Sequence, residues 1–218
     1  MFRLSVVVPT LDAAATLPAC LAALAGADEV IVADGGSADA TCDIAATAGA
    51  TVIVGARGRG RQLAAGAEAA SGDWLLFLHA DTILSADWRS AVLDHVRAAP
   101  DRPGCFRFQL DDRAWQARLI ERGVAVRVRL LGLPYGDQGL LVSRPVYDVA
   151  GGYRPLPLME DVDLVRRLLR PALLGADAVT SADRWRRDGW FRRSARNLAL
   201  LTLWRLGLSP AAAARLYG

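Results

Sequence analysis

Four apolar segments, residues 4–8, 29–33, 51–55 and 74–78, alternate with helix-like segments, and that alternation limits what this chain can fold into. Helices are expected at 13–24, where Leu17, Leu21 and Leu24 share a face, at 39–48 with Gly49 as the closing cap, and at 62–70. Strands separated in this way form a parallel sheet covered by helices, with right-handed crossovers. The predicted fold class is α/β, a mostly parallel central sheet flanked by helices.

The second half is less regular. Ser85 reads as the N-cap of a helix to residue 98, and a Pro/Gly turn at 100–104 leads into a strand at 105–110. A helix at 115–131, a strand at 139–143 and a short helix at 145–150 follow. A further helix at 160–169 stops before Pro171, and 178–181 precedes a basic helix at 191–206. Gly207 closes that helix, and Ser209-Pro210 opens a last short one. The expected division is one domain over 1–183, with a basic helical segment, 184–218, packed on it.

Composition excludes several chemistries. All 26 basic residues are arginine, which removes lysine Schiff bases and a P-loop lysine. Cys20, Cys42 and Cys105 lack paired spacing, so zinc sites and disulfide frameworks are not expected; small core hydrophobes in a reducing cytosol are. No leader-like start and no apolar run of about 18 residues is present, which predicts a cytoplasmic protein without a spanning helix. The net charge is +3, but 184–218 carries eight arginines against Asp188 alone. That segment suits phosphates or an anionic membrane surface. Its apolar residues between Arg192 and Arg205 suit closure of the core or a homodimer contact, with peripheral attachment to the inner membrane face as the alternative. No nucleic-acid partner is expected.

The strand ends carry the chemistry. The first strand exits into Pro9-Thr10-Leu11-Asp12, the second into Asp34-Gly35-Gly36-Ser37, the third into Arg57-Gly58-Arg59-Gly60-Arg61, and the fourth into His79-Ala80-Asp81. Parallel strands place all four loops on one sheet edge, where open α/β sheets bind nucleotides. Asp34 can accept hydrogen bonds from a base or ribose, and Arg57 and Arg61 can meet a base edge or phosphate oxygens. Each loop alone reads equally as an ordinary turn; together they make a nucleotide crevice the better reading. Neither a Gly-x-Gly-x-x-Gly nor a Gly-x-x-x-x-Gly-Lys motif is present, so a diphosphate here needs a cation, and Asp81 suits Mg²⁺ or Mn²⁺.

On the acceptor side, helical spacing aligns Asp161 with Leu164, Val165 and Leu168, while Asp163 falls beside Arg166, Arg167 and Arg170. Asp161 is therefore the carboxylate expected to point inward from a helix N-terminus, where the ionised form of a general base is favoured. Capping is the other reading, and Glu160 can share it. Tyr135-Gly136-Asp137-Gln138-Gly139 is a polar turn able to offer Asp137 and Gln138 to a pocket, or simply a turn. Arg184-Trp185 can fold over a diphosphate, or be a stacked surface pair. His95 reads as structural.

These motifs, in this order, resemble the family 2 glycosyltransferases, whose fold is the GT-A nucleotide-diphospho-sugar transferase fold. The residues that carry the resemblance are 6–12, 32–39, Arg57 to Gly66, Phe77 to Thr82, Glu160-Asp161 and Arg184-Trp185. The short length, His79-Ala80-Asp81-Thr82, Tyr135 to Gly139 and Leu216-Tyr217 resemble more narrowly the radical-SAM/selenodomain-associated, arsenosugar-biosynthesis-type transferases of bacteria. The resemblance implies a nucleotide-binding half at about 1–100 and an acceptor half at 101–183. It implies an inverting transfer from a nucleotide sugar, with UDP expected, to a hydroxyl of a small molecule or lipid. Pro9, Thr10, Asp12, Asp34, Gly35, Arg57, Gly58, Gln62, His79, Ala80 and Asp81 would hold the nucleotide and its metal, with Asp81 as the metal ligand. Asp161 and Glu160 would be the catalytic acidic pair, and Tyr135, Asp137, Gln138, Arg184 and Trp185 would meet the substrates. His79 departs from the family's usual aspartate, and imidazole is a poorer ligand for a hard cation, so it faces either metal or ribose. The rival readings are a sugar-phosphate nucleotidyltransferase, which would want a Gly- and Arg/Lys-rich first loop, and a nucleotide-binding homologue without turnover.

Overall fold

The computed structural model describes residues 2–205, excluding the side chain of residue 205. The expected features at Gly207, Ser209-Pro210 and Leu216-Tyr217 lie outside them. Strands β1 (Leu4–Thr10), β2 (Glu29–Asp34), β3 (Thr51–Val54) and β4 (Trp74–Phe77) are joined by helices α1 (Leu17–Ala23), α2 (Thr41–Thr47) and α3 (Arg59–Ala69). All four pair in parallel, in the order β3-β2-β1-β4. The chain thus builds outward from β1 to β3, then returns to the other side of β1. That reversal opens a crevice beyond the carboxyl ends of β1 and β4.

The sheet continues through β7 (Leu140–Ser143), β6 (Gly104–Leu110), β8 (Ala172–Thr180) and β5 (Thr82–Leu84). Only β7 and β5 run against the others, so the sheet is mostly parallel, as expected. Two of these elements depart from the sequence reading. Strand β5 follows directly on Asp81, where a bare helix approach was expected. Strand β8 starts at Ala172 rather than near residue 178, because Gly175 and Asp177 mimic a loop. In fact Asp177 pairs outward with Arg107, and every second residue of the strand from Leu174 to Thr180 is buried.

Helix α4 (Trp88–Ala98) starts later than expected, with Ser85 donating to the carboxylate of the N-cap residue Asp87. Helix α5 (Trp115–Leu131) matches its expected bounds and ends on Gly132 in the left-handed conformation, the usual helix stop. Helix α6 (Arg144–Val149) follows β7. Helix α7 (Glu160–Val165) is shorter than the expected 160–169, because Arg167 turns back to the carbonyls of Ala150 and Gly152. A short helix, α8 (Asp183–Asp188), is an addition to the expected elements, and α9 (Trp190–Arg205) matches the expected basic helix at 191–206 to within a residue over the described residues.

Two apolar layers cover the sheet. Leu4, Val6, Val8, Leu76 and Phe106 pack against α1 and α4, and Val7, Ile31, Leu75 and Phe77 pack against α3 and the 147–165 region. This opposite facing of neighbouring residues is the period-two pattern of strands buried on both sides. Cys20 and Cys105 are free and buried, their thiols pushed up to about 12 by burial, which suits small core hydrophobes. His95 Nε2 donates a hydrogen bond to the Arg102 carbonyl, and the ring packs edge-on against Trp74. Among the described residues no helix is long and apolar enough to cross a membrane.

Candidate active site

Register across the sheet places Thr10 opposite Asp34. The Thr10 hydroxyl, the Gly36 and Ser37 amides and the Ser37 hydroxyl all donate to the Asp34 carboxylate, at 2.9, 2.8, 2.7 and 2.5 Å. Burial alone would raise this carboxyl; the Ser37, Thr10 and Gly36 donors outweigh it and hold it below the usual carboxylate range. The Gln62 amide donates to the Thr10 and Ala33 carbonyls at 2.6 and 2.9 Å and packs against Gly35. Asp34, Gly35 and Gln62 therefore tie the loops after β1 and β2 together from behind.

In front of them lies a crevice of about 520 Å³. Pro9, Thr10, Asp12, Arg57, Gly58, Gln62, His79, Ala80 and Asp81 line it, from three of the four grouped loops. Asp34 and Gly35, expected to hold the nucleoside, do not, because the buried Asp34 carboxylate is taken by Thr10, Gly36 and Ser37. Arg61 is exposed and lines neither this crevice nor the pocket beside it. The arginine the sequence reading passed over is Arg59, which lines both. Helix α3 begins at Arg59, three residues before the expected start, and that extra turn brings its guanidinium to the site.

The adjoining pocket, about 110 Å³, shares Arg59, His79, Asp81, Ser181 and Arg184 with the crevice. Its far side is Asp161 with Tyr135, Gly136 and Asp137. Asp161 accepts the Gly136 amide at 2.8 Å through Oδ2 and the Val162 amide at 2.8 Å through Oδ1. A Cβ on Gly136 would stand 2.5 Å from His79 Nε2, so only glycine lets this turn lie against the imidazole. Burial, then the charge of Arg59, lowers the His79 ring to about 4 against the opposing pull of Asp81 and Asp161. The imidazole is neutral near pH 7.

The acidic pair divides its labour differently from the expectation. Glu160, not Asp161, is the inward carboxylate: it is 1% exposed and ion-paired with Arg59. Burial raises its carboxyl, with Arg59 opposing. A Cβ on Gly60 would lie 2.3 Å from the Arg154 carbonyl and 3.2 Å from Glu160 Cβ, so α3 reaches the 154–160 segment only because that position has no side chain. Glu160 thus anchors Arg59 and does not line the pocket, whereas Asp161 does. Asp163 pairs with Arg154 and Arg167, at 3.3 and 2.7 Å; Arg170, expected beside it, instead reaches the Val128 carbonyl.

Gln138 is buried and spent: its amide donates to the Phe106 carbonyl and its oxygen accepts from Arg127. It does not face this pocket. Asp137 does, and burial, with Asp161 and Asp81 nearby and Arg127 opposing, raises its carboxyl to about 6. Its Oδ1 is buried without a hydrogen-bond partner. Arg184 on α8 reaches Asp81 at 3.7 Å, and Trp185 packs beneath it against Phe108, with Arg193 4.8 Å over its ring. Arg193 and Asn197 of α9 also border the pocket, and nothing in their sequence surroundings marks them.

Among the described residues no three His, Cys, Asp or Glu side chains converge into a metal cage. A lone carboxylate at Asp81, open to the crevice, still fits Mg²⁺ or Mn²⁺, which take one or two carboxylates together with substrate phosphate oxygens.

The family model for glycosyl transferase family 2 matches residues 5–148. The chain belongs to that family. It is 41% identical over 91 residues to the PGL/p-HBAD biosynthesis glycosyltransferases of Mycobacterium bovis and Mycobacterium tuberculosis, a stretch covering 37% of this chain and 36% of theirs. The match spans about a third of the length of those relatives. Among solved structures, glucosyl-3-phosphoglycerate synthase from M. tuberculosis superposes with a TM-score of 0.57 at 23% identity, over 83% of this chain and 70% of that one. S. aureus TarS 1-349 superposes at 0.63 and 15% identity, over 98% and 69%. These neighbours share the GT-A fold, which bears out the fold class.

Proposed function

We propose that this glycosyl transferase family 2 chain moves a sugar, with inversion, from a nucleoside diphosphate donor to an acceptor hydroxyl. The supporting observation is that Asp81 and Asp161 line one pocket that continues into the crevice at the β1/β4 reversal. The nucleoside occupies the crevice beside Thr10, Asp12 and Arg57, and the diphosphate lies towards Asp81, Arg59 and Arg184. The acceptor oxygen attacks the anomeric carbon from the face opposite the diphosphate and forms the new C–O bond. The bond to the diphosphate breaks, its electron pair leaves with the diphosphate, and Asp161 takes the acceptor proton. Arg59, held in place by Glu160, and Arg184 face the charge that grows on the leaving group. When bound through Asp81, Mg²⁺ or Mn²⁺ would supply further positive charge there. Glucosyl-3-phosphoglycerate synthase has been solved with Mn²⁺ and UDP, and TarS with UDP-GlcNAc, which supports UDP and a divalent cation here. The narrower likeness to the arsenosugar-type transferases rests on His79 to Thr82 and Tyr135 to Gly139.

The test is to incubate the protein with UDP-glucose or UDP-GlcNAc, Mn²⁺ and a panel of hydroxyl acceptors. UDP release with an inverted anomeric configuration in the product is expected. Pyrophosphate release from UTP and a sugar 1-phosphate would overturn the reading in favour of nucleotidyl transfer.

A further inference from the structure

A second cavity borders the transfer pocket and shares no lining residue with the nucleotide crevice. It is a groove of about 480 Å³ between α5 and α9, within the size range of small-molecule sites. Its walls are largely apolar, and several wall residues stand open to solvent: Val126 is 54% exposed, Leu130 69% and Leu198 64%. Scattered exposed leucines need no explanation, but a contiguous set facing one groove on two helices marks a binding surface. Arg127, the cation within it, is already engaged: it lies 3.5 Å over the Tyr135 ring and donates to the Leu133 carbonyl and Gln138.

The groove shares one wall with the pocket that holds Asp161. Tyr135, Asp137, Trp185 and Asn197 line both. Two of those four carry buried polar atoms without a partner, the Trp185 indole N–H and Asp137 Oδ1. An orphan donor and an orphan acceptor at one junction are matched by a hydroxyl, which both donates and accepts. The crevice, the pocket and the groove therefore lie side by side: polar at the nucleotide end, lined by charges of both signs in the middle and apolar at the far end.

We propose that the acceptor is a lipid-like alcohol, its hydroxyl at the Tyr135–Asp137–Trp185 junction and its apolar chain along the α5–α9 groove. This rests on the transfer reading, since it gives the non-reacting part of the acceptor its place. The occupant follows from that shared wall: a molecule filling the groove has one end against residues that also line the Asp161 pocket.

The probe is the n-alkanol series from butanol to decanol, titrated calorimetrically with and without UDP and Mn²⁺. Affinity is expected to rise by about threefold per methylene, close to the full value for burying one CH₂. In a Val126→Gln/Leu198→Gln variant, both changes lying on the exposed rim, decanol is expected to bind at least tenfold more weakly while UDP affinity stays as in the parent. A flat alkanol series in the parent protein, or an unchanged series in the variant, overturns the proposal. So does a dimer in sedimentation that the variant dissociates, which would make a second copy the occupant. Failure of UDP to bind would sink the donor reading instead, and the alkanol series without UDP would still decide this one.

Discussion

Replacing Asp161 by Asn separates chemistry from architecture, because in the proposed mechanism the carboxylate serves both. In the structure each of its oxygens accepts one backbone N–H, from Gly136 and from Val162. Asparagine keeps one acceptor oxygen and turns an NH₂ towards the other amide, so one of these two bonds is lost. For a side chain only partly buried, that costs about 1 kcal/mol. The loss of a positioned general base is far larger, about 10²–10⁴ in rate, or roughly 3–5 kcal/mol of barrier at 1.36 kcal/mol per tenfold. Sugar transfer measured as UDP release at saturating donor and acceptor should therefore fall at least about a hundredfold. Over the same substitution, calorimetric UDP affinity should change by less than about twofold, since the crevice contacts lie on other loops. A variant that keeps a tenth or more of the parent rate would remove Asp161 from the mechanism. Loss of UDP binding in step with the rate would instead make Asp161 a structural residue of the Gly136 turn.

Four other substitutions test the surrounding framework. Asp137→Asn should remove a pH-dependent strain: the folded carboxyl titrates at about 6 against an ordinary 3.8, so the folded state binds the extra proton. Stability from this group is complete below about pH 4 and lost as pH rises through about 6, a difference on the order of 3 kcal/mol, so the urea midpoint of the variant relative to the parent should climb over that window. A midpoint difference independent of pH would refute it. Gly60→Ala should lower stability by about 1–3 kcal/mol or more, because the new methyl meets the Arg154 backbone, while Gly123→Ala, with nothing within 4 Å, should raise it by up to about 1 kcal/mol; equal denaturation midpoints would contradict both. Asp81→Asn should abolish the increment in UDP affinity that Mn²⁺ gives and leave metal-free UDP binding unchanged, read by calorimetry with and without EDTA; an intact Mn²⁺ increment would exclude Asp81 as the ligand.

How far the sequence could be read depended on whether a segment's partners are local. Strands β1 to β4 are apolar runs closed by polar, glycine-rich loops, and their helices lie between them, so both their order and the edge they share follow from nearest neighbours. Helix α5 is legible to the residue because its amphipathic pattern is unbroken and Gly132 ends it. Strand β5 is three residues long, too short to show alternation, and β8, its only partner among the described residues, lies about ninety residues further on. The polar break at Gly175 and Asp177 hid most of β8 for the same reason, since the pairing with β6 that holds it is non-local.

The same distinction runs through the site. The loops that meet were legible; which side chain in each loop faces the cavity was not. Arg57, Arg59 and Arg61 are chemically identical, and only the start of α3 at Arg59 selects the one that lines both cavities. Helical spacing ranked Asp161 as the inward carboxylate, but spacing assumes a helix already under way, and α7 begins at Glu160 after Met159 at a φ of 63°. What decides the pair is the absence of a side chain at Gly60, about a hundred residues earlier. That gap lets α3 come close enough for Arg59 to capture Glu160, and the captured carboxylate is buried. Asp161, one residue on, is then left turned towards Gly136, His79 and Asp81. The capture of Glu160 by Arg59 thus settles which acid is free towards the pocket, and the two walls of the site are coupled through one glycine.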